Sequence, residues 1–161
     1  MARVIEGFLT TPQGRFALCV ARFNGFITEQ LLHGAQDVLV RHGVADADID
    51  VIRVPGTFEL SGLVRRVAES GQYAGVVALG CVLRGGTPHF EYMAGEVSKG
   101  IGQVALTASC AVSFGVLTCD TLEQAIDRAG VKAGNKGADA AMACLEMVNL
   151  YARMAEVGKK R

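Results

Sequence analysis

The sequence predicts an α/β fold, a three-layer αβα sandwich built on a four-stranded parallel sheet. Three observations carry this expectation. Short apolar runs alternate along the chain with segments of helical period. The runs are apolar without a polar beat, the mark of strands covered on both faces. Glycine or proline then separates most strand runs from the helix patterns around them.

The elements follow in order. Arg15 to Ala21 reads as a buried strand. Asn24 is a capping residue type for the next helix, whose Ile27, Leu31, Leu32, Ala35, Val38 and Leu39 share one face and which ends near Gly43. Asp50 to Val54 is a second strand, closed by Pro55-Gly56. The helix after it carries Leu60, Leu63, Val64 and Val67 and stops at Gly71. Ala74 to Leu83 is the third strand. Its helix begins at about Phe90 and turns Val97, Ile101, Val104 and Ala105 inward, despite Gly95, Gly100 and Gly102. Ala111 to Thr118 is the fourth strand. Thr121 and Gln124 form a capping-box pair that opens a short helix to Ala129. A loop from Gly130 to Gly137 leads to a long final helix with Ala141, Leu145, Val148 and Ala152 on one face. Ala2 to Glu6 is a separate strand candidate, set apart by Thr10-Thr11-Pro12-Gln13-Gly14 and able to join this sheet's edge or a neighbour's. The basic tail, Gly158 to Arg161, reads as a solvated end. With 161 residues and no repeat or linker, one domain over 1–161 is expected.

Composition narrows the function classes. Sixteen basic residues balance sixteen acidic ones, which argues against nucleic acid or an anionic membrane as the main partner. Half the residues are apolar and twenty are glycine. Either apolar surface is buried between subunits or the core is built from small side chains. The five cysteines (Cys19, Cys81, Cys110, Cys119, Cys144) contain no CxxC pair and fall mostly inside apolar elements. They read as buried thiols of a reducing compartment, with neither a disulfide framework nor a metal site. The start lacks the features of a signal peptide, and the longest apolar run is far short of the ~20 residues that span a bilayer. Cytoplasmic localisation is expected.

In such a sheet ligands bind beyond the carboxyl ends of the strands. One rim therefore gathers Arg22-Phe23-Asn24, Gly56 to Glu59, Arg84 to His89, and Asp120-Thr121. Phe23 and Phe58 either stack on a planar ligand or staple the helices that follow. Glu59 suits the first turn of a helix on electrostatic grounds alone. His89 follows Gly85-Gly86-Thr87-Pro88 and is either a proton-transfer group or a loop imidazole bonded to backbone. Gly86 and Thr87, before a helix, can meet an anion. Arg128, Lys132 and Lys136 cluster around the loop before the last helix, where a guanidinium fork also matches phosphate. His33 and His42 read as solvated. There is no dinucleotide GxGxxG, no Walker loop and no GxSxG elbow. The residues alone thus reach a cytosolic α/β protein that handles a small planar ligand, with phosphorylation of that ligand left open.

Ordered stretches along the chain resemble the lumazine synthase family, of flavodoxin-like fold. They are Arg22-Phe23-Asn24, Val54 to Leu60, Gly80 to Tyr92, Phe114 to Thr118, Glu123 to Gly130, and Lys132 to Gly137. Together they span nearly everything from Arg15 to Ala152, and the ordered set is far more specific than any one piece. The resemblance implies condensation of 5-amino-6-ribitylamino-uracil with 3,4-dihydroxy-2-butanone 4-phosphate, releasing phosphate and water, with no cofactor and no metal. It implies that Phe23 stacks on the pyrimidine, that Thr57, Phe58 and Glu59 meet the ribityl chain, and that Cys81, Val82 and Leu83 line the ring pocket through backbone. Gly86, Thr87 and Arg128 would hold phosphate, His89 would act as acid and base, and Lys136 would stand near the substrates. Phe114 would come from an adjacent subunit, and so would Arg128.

The resemblance also implies a homopentamer. Pentamer-only relatives often carry extra residues between the last two helices. The uninterrupted stretch from Arg128 to Gly137 therefore favours a closed 60-subunit shell, with riboflavin synthase as a candidate partner. The segment Ala2 to Glu6 would then add to a neighbouring subunit's sheet. Ser61 departs from the proline that many relatives carry after Glu-Leu, which bears on the helix start and leaves the chemistry untouched. The rival readings are a non-catalytic lumazine- or flavin-binding or cage-forming paralogue, a pentameric riboflavin synthase, and a flavodoxin-like module.

Overall fold

β1 (Phe16–Ala21) and β3 (Gly75–Leu83) are apolar on both faces, and they form the centre of the sheet. The structure, a computed structural model, describes residues 1–10 and 12–159. β2 (Ile49–Val54) borders β1 and β4 (Ala111–Cys119) borders β3, giving the order β2-β1-β3-β4 with every pairing parallel. Phe16 stands opposite both Ile49 and Gly75, and Gly75 stands opposite Ala111. The strands therefore start level at one end, and their carboxyl ends finish on a common rim.

Parallel neighbours need crossovers, which the helices supply. α1 (Gly25–Arg41), α4 (Leu122–Asp127) and α5 (Lys136–Lys159) cover one face. α2 (Leu60–Glu69) and α3 (His89–Thr107) cover the other. The period-two alternation of β1 divides its side chains between two cores. Phe16, Leu18 and Val20 join Leu31, Leu39 and Leu145, while Ala17, Cys19 and Ala21 join Leu60, Val64 and Ile101. Each fully buried large apolar side chain stabilises the fold by about 1.5–3 kcal/mol relative to exposure.

Several expectations are corrected by position in this sheet. Only the central strands are buried along nearly their whole length, Leu83 at the end of β3 being half-buried; β2 and β4 are edges, and each exposes part of its length. Ala105 and Ala152 are exposed, so the inward stripes of α3 and α5 are narrower than their spacing implies. α5 begins at Lys136, inside the stretch expected to be loop. Gly137 does not break the helix but lets it touch α1, since a Cβ there would lie 2.0 Å from the Leu31 carbonyl oxygen. Short 3₁₀ turns at Asp46–Asp48 and Thr57–Glu59 precede β2 and α2.

The strand expected over Ala2 to Glu6 has no ladder partner among the described residues. The end of that segment lies along α5. Arg153 donates to the Glu6 carbonyl at 2.7 Å, Asn149 donates to the carbonyls of Thr10, at 3.0 Å, and of Phe8, and the Arg153 guanidinium stands 4.5 Å over the Phe8 ring. Thr11, in the separating loop, and Lys160 and Arg161, in the basic tail, lie outside the described residues.

Candidate functional site

The turns leaving β1, β2 and β3 enclose a cleft of about 300 Å³ on the carboxyl rim. The first turn contributes Phe23 and Asn24, and the second contributes Gly56, Thr57, Phe58 and Glu59. The end of β3 supplies Cys81, Val82 and Leu83, and the first turn of α3 supplies His89 and Met93. Eight of the residues singled out in the sequence thus share one depression: Phe23, Thr57, Phe58, Glu59, Cys81, Val82, Leu83 and His89.

Backbone hydrogen bonds set the first two turns side by side. Arg22 N–H donates to the Val54 carbonyl at 2.9 Å and Phe23 N–H to the Pro55 carbonyl at 3.1 Å. Phe23 is 69% exposed and Phe58 62%, so neither ring is a hydrophobic staple. Two bare aromatic faces at one cleft are surfaces on which a planar ring can stack.

Asn24 occupies the cap position of α1, and its carbonyl accepts from Ile27 and Thr28. Its side chain does not cap the helix. The amide donates instead to the Cys81 carbonyl at 2.8 Å, and the backbone takes the left-handed conformation, φ 59°.

Thr57 is buried, and its hydroxyl donates to the same Cys81 carbonyl at 3.5 Å. Gly80 leaves room for this turn: a Cβ there would meet Leu60 at 3.0 Å and Thr57 at 3.2 Å. The Glu59 carboxylate accepts from Gly56 N–H at 3.1 Å, capping the start of its own helical turn. The Cys81 thiol is pushed up to about 12 by burial first and by Cys119 second, so it lines the cleft as an un-ionised thiol.

His89 is the first residue of α3 and is exposed. Gly86 and Thr87 stand just before it on an exposed loop, outside the cleft lining. That loop is bracketed by Arg84, which donates to Asp120 at 2.6 Å, pairs with Glu91 and covers the Phe90 ring at 4.4 Å. The hydrogen bond from Arg84 holds the Glu91 carboxyl below its usual range.

The remaining candidates lie apart from this cleft within one chain. Arg128 ends α4, half-buried, and donates to the Gln124 carbonyl at 3.0 Å. It sits near enough to favour ionisation of Cys119, although burial dominates and raises that thiol. Lys136 opens α5 and pairs with Asp139 at 3.4 Å. Phe114 projects from edge strand β4, 42% exposed, into a separate apolar depression of about 180 Å³ with Ile101 and Val112. Among the described residues no three His, Cys, Asp or Glu side chains cluster as metal ligands, and no helix is long and apolar enough to cross a membrane.

Asn24, Gly56 and Met93 also line the cleft and were not singled out as ligand contacts. Met93 was within reach of the sequence, since it lies four residues beyond His89 on the same helical face. The side-chain role of Asn24 carries no sequence signal that separates it from an ordinary cap.

Comparison with known proteins bears on this arrangement directly. The family model described as 6,7-dimethyl-8-ribityllumazine synthase matches residues 13–152. A 6,7-dimethyl-8-ribityllumazine synthase of Myxococcus xanthus (strain DK1622) is 69% identical over 159 residues, covering 96% of this chain and 95% of the relative. Proteins of the same name from Anaeromyxobacter sp. strains Fw109-5 and K are 62% and 59% identical, each over 98% of this chain and over 97% and 98% of their own lengths. A cleft on the carboxyl rim, the ordered motifs that line it and matches along nearly the whole chain lead to one conclusion: the protein belongs to the 6,7-dimethyl-8-ribityllumazine synthase family.

Proposed function

We propose that this chain condenses 5-amino-6-ribitylamino-uracil with 3,4-dihydroxy-2-butanone 4-phosphate to 6,7-dimethyl-8-ribityllumazine, the penultimate step of riboflavin formation. The observation that carries the reading is the single cleft shared by two exposed aromatic rings, an un-ionised thiol, a carboxylate and an imidazole. In this reading Phe23 stacks on the pyrimidine. Thr57, Phe58 and Glu59 meet the ribityl hydroxyls, and the backbone of Cys81, Val82 and Leu83 reads the ring edge.

The chemistry is a sequence of proton transfers around two carbon–nitrogen bonds. The free amine attacks the ketone and water leaves, giving an imine. A proton is lost next to the imine carbon, and phosphate departs with the electron pair of its carbon–oxygen bond. The enol so formed takes up a proton at its terminal carbon and becomes a methyl ketone. The ribitylamino nitrogen attacks that new carbonyl, and a second water leaves as the ring closes. His89, at the cleft mouth, exchanges protons with these intermediates. Gly86, Thr87 and Arg128 stabilise the departing phosphate by charge and hydrogen bonding. Holding both substrates in register supplies the rest of the acceleration.

Phe114 and Arg128 stand outside the cleft of their own chain, which suits residues presented to a neighbour's cleft in a homopentamer. Lys136 lies near Arg128 in sequence and space, through the Lys136 N–H bond to the Arg128 carbonyl at 2.9 Å, and extends the basic surface around the phosphate. Twelve pentamers would close a 60-subunit shell, with riboflavin synthase as its candidate guest. The working place of such an enzyme is the cytoplasm.

The test mixes purified protein with both substrates and follows lumazine formation together with phosphate release, against a no-protein control. Coupled appearance above the spontaneous rate is the expected result. A folded oligomer that binds lumazine without accelerating its formation would overturn the enzymatic reading in favour of a binding or cage protein.

A further inference from the structure

We infer that Asn24 is a positioning residue for the pyrimidine half of this reaction: its bond to the Cys81 carbonyl locks the turn that carries Phe23 onto the end of β3. The inference rests on the function proposed above and deepens it.

Among the described residues Asn24 is the one non-glycine residue with positive φ, at φ 59° and ψ 42°. That region is uncommon for side-chain-bearing residues, and Asn tolerates it better than most. Helix capping does not call for it. A cap residue normally stays extended and turns its side chain onto the first-turn N–H groups. Asn24 does neither, and its amide reaches a carbonyl 57 residues away at 2.8 Å.

The sheet explains what the amide does there. β1 pairs with β3 only as far as Leu79, two residues short of Cys81. Beyond that point the β1 backbone has turned away, and the buried Cys81 carbonyl needs another donor on that side. The Asn24 amide supplies it, extending the ladder with a side chain. The Thr57 hydroxyl reaches the same oxygen at 3.5 Å. One acceptor thus ties the turns after β1 and β2 to the end of β3, and all three line the cleft. Phe23 is 69% exposed, so little packs against its ring to fix it. Its placement depends on the backbone of its turn, which the Phe23 N–H bond to the Pro55 carbonyl holds toward β2 and the Asn24 amide holds toward β3.

Two variants separate the tie from the backbone. Asn24→Gly keeps the left-handed turn unstrained and removes the amide. Asn24→Asp keeps size and turn preference but turns a carboxylate toward a carbonyl. Steady-state kinetics with each substrate varied in turn should show the pyrimidine KM raised about tenfold in both, the scale of one lost hydrogen bond to a buried acceptor. The KM for the phosphorylated ketone should stay within about twofold, because Gly86, Thr87 and Arg128, proposed to hold its phosphate, lie outside the cleft lining that Asn24 ties together. Calorimetric titration with 6,7-dimethyl-8-ribityllumazine should show the same loss without turnover.

Asn24→Gly carries the test alone if the Asp variant does not fold. A Gly variant with both KM values and lumazine affinity within twofold of the unmodified protein would overturn the inference. So would parallel loss for both substrates, which marks a structural cap. If the unmodified protein neither turns over nor binds lumazine, the functional reading itself fails, and this one falls with it.

Discussion

His89, Arg128 and Cys81 differ in what their surroundings allow them to do. His89 is exposed at a helix start, free to meet substrate and easily replaced in proton transfer by water. His89→Ala is therefore expected to lower kcat by less than the ~100- to 10,000-fold typical of losing a general acid or base. Complete loss of turnover in a folded variant would assign the imidazole a larger part. Arg128 offers a guanidinium fork with one branch already held by the Gln124 carbonyl. Arg128→Ala should raise the KM for the phosphorylated ketone about 10- to 100-fold, as expected for a charge-assisted bond, and leave the pyrimidine KM nearly unchanged. Unchanged KM values for both substrates would remove Arg128 from the phosphate site. Burial pushes the Cys19, Cys81 and Cys144 thiols up to about 12, so all three are un-ionised at neutral pH. Alkylation by iodoacetamide at pH 7 should leave them unmodified in the native protein and reach them after denaturation. Rapid native labelling of Cys81 would show that its neighbourhood opens.

At the scale of elements, contacts between backbones decide more than side-chain size. α5 touches α1 where Gly137 meets the Leu31 carbonyl, leaving no space for a methyl group. Gly137→Ala should destabilise the chain by about 3 kcal/mol, the upper range for overpacking, because the obstacle is backbone and cannot rotate away. The midpoint of urea unfolding measures this, and a shift worth under ~0.5 kcal/mol would mean that α5 slides freely on α1. The same glycine shows why element boundaries were only partly legible. In the sequence it resembles the end of a loop, and only the neighbouring helix reveals it as a packing contact. Strand order in the chain, strand burial at the centre and the helices between them were legible because apolar runs state their burial directly. The limited burial of β2 was not, since edge position follows from topology rather than from Asp50-Val51-Ile52-Arg53-Val54 itself. For the cleft, Phe23, Phe58 and His89 of the expected rim line one depression, whereas Arg84 to Thr87 and Asp120-Thr121 of the same rim lie outside its lining. The Asn24–Cys81 tie stayed hidden because it depends on where β1 stops pairing.

For the whole molecule, the N-terminal segment and the outer edge strands face outward with apolar surface. Val4 is exposed, as are Phe8 and Leu9 in the part of the segment that lies along α5, and Phe114 on β4 is partly so. Deleting residues 2–9 should preserve the αβα fold and shift sedimentation toward smaller species. Undiminished assembly after deletion would assign the subunit contacts to other faces. Acid should loosen the end of the sheet opposite the cleft. Asp50 is held below the usual carboxylate range by its hydrogen bond from Arg15, and next by that from Tyr73. A depressed folded-state pKa contributes stability above the unfolded value and loses it as pH falls through the folded one. Asp50→Asn should therefore flatten the acid limb of stability below about pH 4, whereas an unaltered limb would give that role to other carboxylates.

The two central strands have a further consequence in solution. Backbone amides of Phe16 to Val20 and of Val76 to Leu79 are hydrogen-bonded within a sheet that both helical layers cover. Their deuterium uptake cannot proceed through fraying at an edge, and it requires the entire sandwich to open. These few amides are thus a built-in gauge of global unfolding, readable in the assembled protein without denaturant, while β2 and β4 exchange on a faster clock.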